Sequence, residues 1–146
     1  MTIVPRSFGD DDPWADEVYA AHAASLEGVG PIFKRWNDLV AFVEQVVLDP
    51  DWTEHFDHPP IDVAVEKRSS SARYSLATKH NDTIWIRSGS WNAPIVLHEL
   101  AHLAVADGGH GAGFVDAHLH LVRRWCGFHA YGSYLAELDL RRVPHR

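Results

Sequence analysis

Residues 93–106 read APIVLHELAHLAVA, and nearly every position other than the two histidines and the glutamate is hydrophobic. This stretch predicts a helix that is apolar on almost all sides, and such a helix lies in the interior of a domain. Ser90 or Asn92 is a candidate N-cap, and Pro94 suits the first helical turn. The glycine pair at 108–109 ends the helix.

Upstream of this helix, the apolar residues alternate along the chain instead of following helical spacing. Three short runs show the alternation, at 61–65, 74–77 and 84–86. Turn signals separate the runs, namely a serine triplet at 69–71 and the pair Asn81-Asp82. This pattern predicts three short strands in an antiparallel meander.

Helical spacing returns on both sides of the strands. It predicts four further helices, at about 13–26, from about 31 to Pro50, at about 113–125 and at about 131–141. The predicted fold class is therefore α+β, with a small three-stranded antiparallel sheet packed on the central helix and other helices flanking it. The 146 residues show no linker, so we expect one domain, residues 1–146, in which residues 1–12 are flexible.

The composition favours a soluble globular protein, with 46% hydrophobic and 23% charged residues. Cys126 is the only cysteine, which excludes an internal disulfide and favours a reducing compartment. The first residues are not typical of a signal peptide, and no stretch is long enough to span a membrane, so we expect a cytoplasmic protein. The net charge of −7 disfavours nucleic acid as a partner.

Residues 98–102 of the central helix read HELAH, an HExxH motif. His98 and His102 are four residues apart, which puts them about 40° apart around the helix axis and one turn apart along it. Two imidazoles placed in this way can share one tetrahedral zinc ion. Glu99 lies about 100° further round, beside the metal, where it can take a proton from a water. The motif predicts one zinc ion per chain and metal-assisted hydrolysis.

A catalytic zinc of this type takes a third protein ligand. His110 is our first choice, because it directly follows the glycine pair at 108–109, which permits a sharp reversal of the chain. The alternatives are His118 and Asp116. His118 falls on the apolar stripe of its predicted helix. It could be a core histidine, a residue that hydrogen-bonds to a metal ligand, or the third ligand itself. Asp116 falls on the polar side of that helix.

Residues 98–114 read HELAHLAVADGGHGAGF and resemble the SprT-like branch of the zincin metallopeptidases. In that branch, HExxH is followed after a short variable segment by a His-Gly-x-x-Phe turn whose histidine is the third zinc ligand. The resemblance implies a zincin-like fold, zinc ligands at His98, His102 and His110, and Glu99 as the catalytic acid/base. The chain also resembles a family of small bacterial metallohydrolases in its size and its late HExxH motif. Residues 112–113 are Ala-Gly here, where the turn often has Pro-Glu.

The resemblance also implies a substrate strand. In zincins, a strand that lines the cleft binds an extended substrate by main-chain pairing. Ile84, Trp85 and Ile86 lie in the strand before the motif helix and suit that role, although they also suit an ordinary sheet strand. A helper that stabilises the oxyanion would also be needed, and four residues have a suitable side chain: His118, His129, Tyr131 and Tyr134.

These observations predict a zinc-dependent hydrolase of the metallopeptidase kind, acting on a peptide or protein substrate that the sequence does not identify. The alternative is a non-catalytic binding or regulatory domain that zinc stabilises. Its site would be closed by four histidines, His98, His102, His110 and His118, because structural zinc sites fill all four positions with protein ligands. A metal sensor is a third hypothesis. It is disfavoured because the sequence shows no basic helix of the kind that recognises DNA.

Overall fold

The computed structural model describes residues 12–146. This part of the chain contains six α-helices and one three-stranded sheet, which confirms the α+β class. The helices are α1 (Ala15–Leu26), α2 (Trp36–Leu48), α3 (Pro50–His55), α4 (Ala93–Ala104), α5 (Ala112–Cys126) and α6 (Phe128–Leu140). The strands are β1 (Ala64–Arg68), β2 (Leu76–Thr78) and β3 (Thr83–Arg87), and a 3-10 turn, Lys79–Asn81, separates β2 from β3. None of the helices in residues 12–146 is long and apolar enough to cross a membrane.

The described chain divides into two compact units. The first unit consists of residues 12–29 together with Asp107–Arg146, and it contains α1, α5 and α6, of which α6 packs against both of the others. The second unit is the continuous segment Gly30–Ala106, in which α4 packs on β2 and β3. The prediction of a single domain over residues 1–146 stays a prediction. The flexibility predicted for residues 1–12 concerns residues that, apart from Asp12, lie outside the described part.

The sheet differs from the antiparallel meander that the alternation predicted. Its strand order is β1-β3-β2, with β3 parallel to β1 and antiparallel to β2, so the sheet is mixed. Alternation shows which face of a strand is buried but does not identify its partner. The central position goes to the strand with the most buried side chains, since Ile84 and Ile86 of β3 are fully buried whereas β1 is mostly exposed.

The region around α2 and α3 also departs from the prediction. The helix expected from about residue 31 begins only at Trp36, because the chain before it pairs with the residues that precede α4. Ile32 forms a β-bridge with Asn92, and the Phe33 N–H donates to the carbonyl of Trp91. Pro50 follows α2 as predicted, but it also opens α3, since proline suits a first helical turn.

Both ends of α4 are fixed by side chains. The Asn92 side chain caps the N-terminus by accepting a hydrogen bond of 3.0 Å from the Ile95 N–H. At the other end, the Lys79 ammonium donates to the carbonyls of Val105 and Ala106. A side-chain acceptor at the first turn and a cation at the last satisfy backbone groups that a helix leaves unpaired. The helix with the HExxH motif is therefore held at each end.

Candidate metal centre

The HExxH residues lie on α4 in the second unit, as the sequence predicted. His98 and Glu99 are buried, with 1% and 4% of their surface exposed, while His102 is partly exposed. The ring centroids of His98 and His102 are 5.0 Å apart, and the ring planes make an angle of 68°. The helix therefore brings two imidazoles together at its surface, with the glutamate carboxyl group beside them in the sequence.

The spacing of these two rings fits a shared metal ion. Two imidazoles that bind one tetrahedral zinc at about 2.0–2.1 Å hold their ring centroids roughly 5 Å apart, because each centroid lies a further ~1.2 Å behind its nitrogen. The observed centroid separation of His98 and His102 is 5.0 Å. The donor set is also suitable, since imidazole nitrogen is a good ligand for zinc and for several other transition metals.

His110 lies in the first unit and is almost completely buried. Its Nδ1 atom is 2.6 Å from Oδ2 of Asp12, and its backbone N–H donates to Oδ1 of the same carboxylate at 3.0 Å. Both side chains are 3% exposed. An ionised carboxylate only accepts hydrogen bonds, so a neutral His110 carries its proton on Nδ1. Its Nε2 atom then has the lone pair that a metal requires.

Aromatic rings enclose the His110 imidazole. The Tyr19 ring lies with its centroid 5.1 Å from that of His110, and the Phe114 ring meets it edge-on at 4.8 Å. Gly109 precedes it in the left-handed region, with φ of +74°, which glycine adopts without strain. A Cβ atom at Gly109 would lie only 3.1 Å from Cγ of Asp12, so the glycine also makes room for that carboxylate.

His118 belongs to a second group of rings in the first unit. Its Nδ1 atom lies 3.0 Å from the Tyr134 hydroxyl, and its ring stacks on His22 with the centroids 5.7 Å apart. His118 and Tyr134 are both fully buried. Burial raises the pKa of Tyr134 and lowers the pKa of His22 to about 4, so the phenol keeps its proton and His22 is neutral at ordinary pH.

The remaining candidate residues lie on α5 and α6 in the first unit. His129 is exposed, and Tyr131 is half-buried with its ring stacked on Phe128. Asp116, the other rival as third ligand, is partly exposed.

Burial raises the pKa of the Cys126 thiol to about 12, so this cysteine remains protonated and is a poor nucleophile.

The predicted substrate residues Ile84, Trp85 and Ile86 lie on β3. The strand is central in the sheet, and its backbone pairs with β1 along its whole length and with β2 from Thr83 to Trp85. Beyond β2, the Arg87 N–H donates to the Ser75 hydroxyl. Ile84 and Ile86 are fully buried, and Trp85 is partly exposed. Neighbouring strands therefore pair with β3 on both sides from Thr83 to Trp85, and the substrate role of the strand stays a prediction.

The structure also identifies residues that the sequence reading missed. Asp12 ends a run of three aspartates, and nothing in that run signals its contact with His110, 98 residues away. Tyr19 and His22 lie on α1. The helical spacing of the sequence did not distinguish them from ordinary core positions. The one signal in the sequence was a histidine, His22, within a predicted helix.

Several buried histidines of this chain could hold a metal ion, His98 in the second unit and His22, His110 and His118 in the first. This supports the predicted cofactor at the level of a metal site. No protein-family model, curated protein or solved structure matches this chain.

Proposed function

We propose that this protein is a zinc-dependent hydrolase of the metallopeptidase kind, with a zincin-type site in which His98, His102 and His110 hold the metal. The observation that carries the proposal is the pair of imidazoles on α4, whose centroid separation of 5.0 Å suits one shared ion. The similarity of residues 98–114 to the SprT-like turn adds support. Zinc, when bound, lowers the pKa of a water and polarises the scissile carbonyl.

His110 is the third ligand in this proposal. In the sequence it follows the motif closely, since α4 ends at Ala104 and only five residues separate that end from His110. Gly109 allows the reversal with its φ of +74°. The Nδ1 atom is engaged with Asp12, which leaves Nε2 to bind the metal.

Glu99 is the proposed general acid/base. It follows the first histidine ligand directly, and the residue is buried, with 4% of its surface exposed. In the proposed mechanism, Glu99 accepts a proton from the attacking water and transfers it to the leaving amine. Of the four oxyanion candidates, His118 and Tyr134 bond each other inside the fold, whereas Tyr131 and His129 have exposed surface. This difference favours Tyr131 or His129 as the helper.

A closed structural site is the second candidate function. The observation in its favour is that His118 is fully buried and has its Nδ1 atom at the Tyr134 hydroxyl, so its Nε2 atom could be a fourth ligand. In that case the protein would be a binding or regulatory domain that zinc stabilises. The two proposals differ in whether loss of His118 removes the metal.

The test measures zinc per chain after equilibration with zinc and removal of excess metal. The catalytic proposal expects about one zinc in the wild type, loss of zinc in His98→Ala, His102→Ala and His110→Ala, and retention in His118→Ala. His80→Ala, at an exposed histidine of the 3-10 turn, is the matched control and should keep its zinc. Loss of zinc in His118→Ala as well would favour the closed site. No zinc in the wild type would contradict both proposals.

Hydrolysis is tested separately with a diverse peptide pool, the products being identified by mass spectrometry. Glu99→Gln should keep its zinc and lose activity by about 100-fold or more, because a positioned general base contributes at least that much. Equal activity in Glu99→Gln and the wild type would contradict the role of Glu99.

A further inference from the structure

We propose that Asp12 is a positioning residue for the metal centre, which sets the tautomer and the orientation of His110 so that Nε2 faces the metal. This inference rests on the proposed function, since it takes His110 to be a ligand. It concerns a residue that lies 98 positions before His110 in the sequence.

The first argument is the double contact between the two residues. Oδ1 of Asp12 accepts the backbone N–H of His110, and Oδ2 lies 2.6 Å from Nδ1 of its ring. A single carboxylate therefore fixes both the main chain and the imidazole of one residue. Because an ionised carboxylate accepts only, the ring proton is held on Nδ1 and the opposite nitrogen is free of a proton in the neutral ring.

The second argument is that Asp12 is itself held in place. Its carbonyl accepts a hydrogen bond from the Ala15 N–H at the start of α1. Its carboxylate packs over Gly109, where an added Cβ atom would lie in tight contact with it, at 3.1–3.3 Å. On the other side, Tyr19 of α1 lies against the His110 ring. These contacts hold the imidazole in the observed orientation within the first unit.

The third argument is electrostatic. Asp12 and His110 have side chains that are 3% exposed, and a buried carboxylate is costly unless a positive charge or several donors compensate it. A divalent cation on Nε2 of His110 would add a positive charge beside the pair. In return, the carboxylate makes the imidazole a more basic ligand, and partners of this kind are worth about 10- to 100-fold in metal affinity.

The experiment compares Asp12→Asn and Asp12→Ser with a matched control, Asp139→Asn. Asn keeps the shape of aspartate but can donate to Nδ1, and Ser is too short to contact the ring. Asp139 makes the same kind of contact with another histidine, Oδ1 lying 2.8 Å from Nε2 of His145. Zinc affinity is measured by competition with a coloured chelator. The His110 tautomer is measured by nitrogen NMR on the metal-free protein at mildly alkaline pH.

We expect wild-type His110 to carry its proton on Nδ1, and we expect this preference to be lost in Asp12→Asn. Zinc affinity should fall about 10- to 100-fold in both Asp12 variants and stay unchanged in Asp139→Asn. A merely structural role for Asp12 would lower stability without changing the tautomer. A wild-type proton on Nε2, or wild-type zinc affinity in a folded Asp12 variant, would overturn the inference.

The result also separates this inference from the proposed function. If His110→Ala keeps its zinc, the ligand assignment fails, whatever the Asp12 variants do. If His110→Ala loses its zinc while both Asp12 variants bind it as tightly as the wild type, only the role of Asp12 fails. The tautomer is read without metal, so it tests the Asp12–His110 pair even if one of the Asp12 variants does not fold.

Discussion

The Nδ1 atom of His118 lies 3.0 Å from the hydroxyl oxygen of Tyr134, between two helices of the first unit. Neither residue has exposed surface. Each therefore gives the other a polar partner in an interior where an unpaired polar group would be costly. This pair connects α5 to α6 by more than apolar packing, and its removal provides a direct test of what His118 does.

Tyr134→Phe should destabilise the protein by about 1–3 kcal/mol, because it removes a buried hydroxyl group that pairs with Nδ1 of His118. The free energy of unfolding is measured by urea denaturation. Tyr131→Phe is the control, since Tyr131 is half-buried on the same helix, and its change should stay within about 0.5 kcal/mol. Zinc content should be unchanged in Tyr134→Phe if the site is open. A matching loss of zinc would instead indicate that His118 is a ligand.

His22 should make stability depend on pH in the acid range. Burial lowers the pKa of His22 from 6.5 to about 4, in a setting where His118 and Tyr134 face its ring. Between these two values the unfolded chain binds more protons than the folded one, so stability is complete above pH 6.5 and falls as the pH falls. The loss from this one group approaches about 3 kcal/mol at the lower value.

The measurement is urea unfolding of metal-free protein from neutral pH towards pH 4 for the wild type and His22→Phe. Phenylalanine keeps a ring in the stack but does not titrate. The other histidines titrate in both proteins, so the difference between the two curves isolates His22. Parallel curves over the whole range would show that His22 is not kept neutral by the fold.

The N-cap of α4 should contribute measurably to stability. The Asn92 side chain accepts the Ile95 N–H at 3.0 Å, and substituting such a cap with alanine costs about 1 kcal/mol. Asn92→Asp should retain most of the stability, because aspartate caps as well as asparagine does. Asn37→Ala is the control, because Asn37 is exposed in the first turn of α2. A cost at residue 37 equal to that at residue 92 would argue against a capping role.

Gly109→Ala should be far more harmful than Gly108→Ala. At residue 109 the backbone has a φ of +74°, and an alanine Cβ would lie 3.1–3.3 Å from the Asp12 carboxylate. The left-handed conformation alone costs a non-glycine residue about 1–2 kcal/mol. At residue 108 no atom lies within 4 Å of the added carbon, so we expect a change within about 0.5 kcal/mol. Thermal unfolding of the two variants gives the comparison, and equal shifts would contradict it.

The part of the fold that the sequence predicted best is α4. Its signals are local, a capping residue, a proline in the first turn and an apolar run with helical spacing, and the helix begins at Ala93 as predicted. The same local reasoning predicted the buried stripe of α2 but placed its beginning too early. The cause is a bridge between Ile32 and Asn92, which lie 60 residues apart and which no local pattern relates.

Strand partners and the surroundings of His110 could not be predicted for the same reason. Alternation along β1 and β3 shows strands but not that they run parallel. An acidic run near the N-terminus has the composition of a solvated segment, yet Asp12 is buried against His110. Residue chemistry predicted candidate metal ligands, whereas the contact between Asp12 and His110 depends on how distant parts of the chain fold together.

The two units differ in when the ribosome completes them. Residues 30–106 are synthesised as one uninterrupted stretch, so the sheet and the HExxH helix can assemble while the rest of the chain is still being made. The first unit must wait, because α1 emerges early and its partners α5 and α6 come last. During that interval α1 has no α6 to cover its apolar side, and it is the segment that a chaperone would be expected to shield.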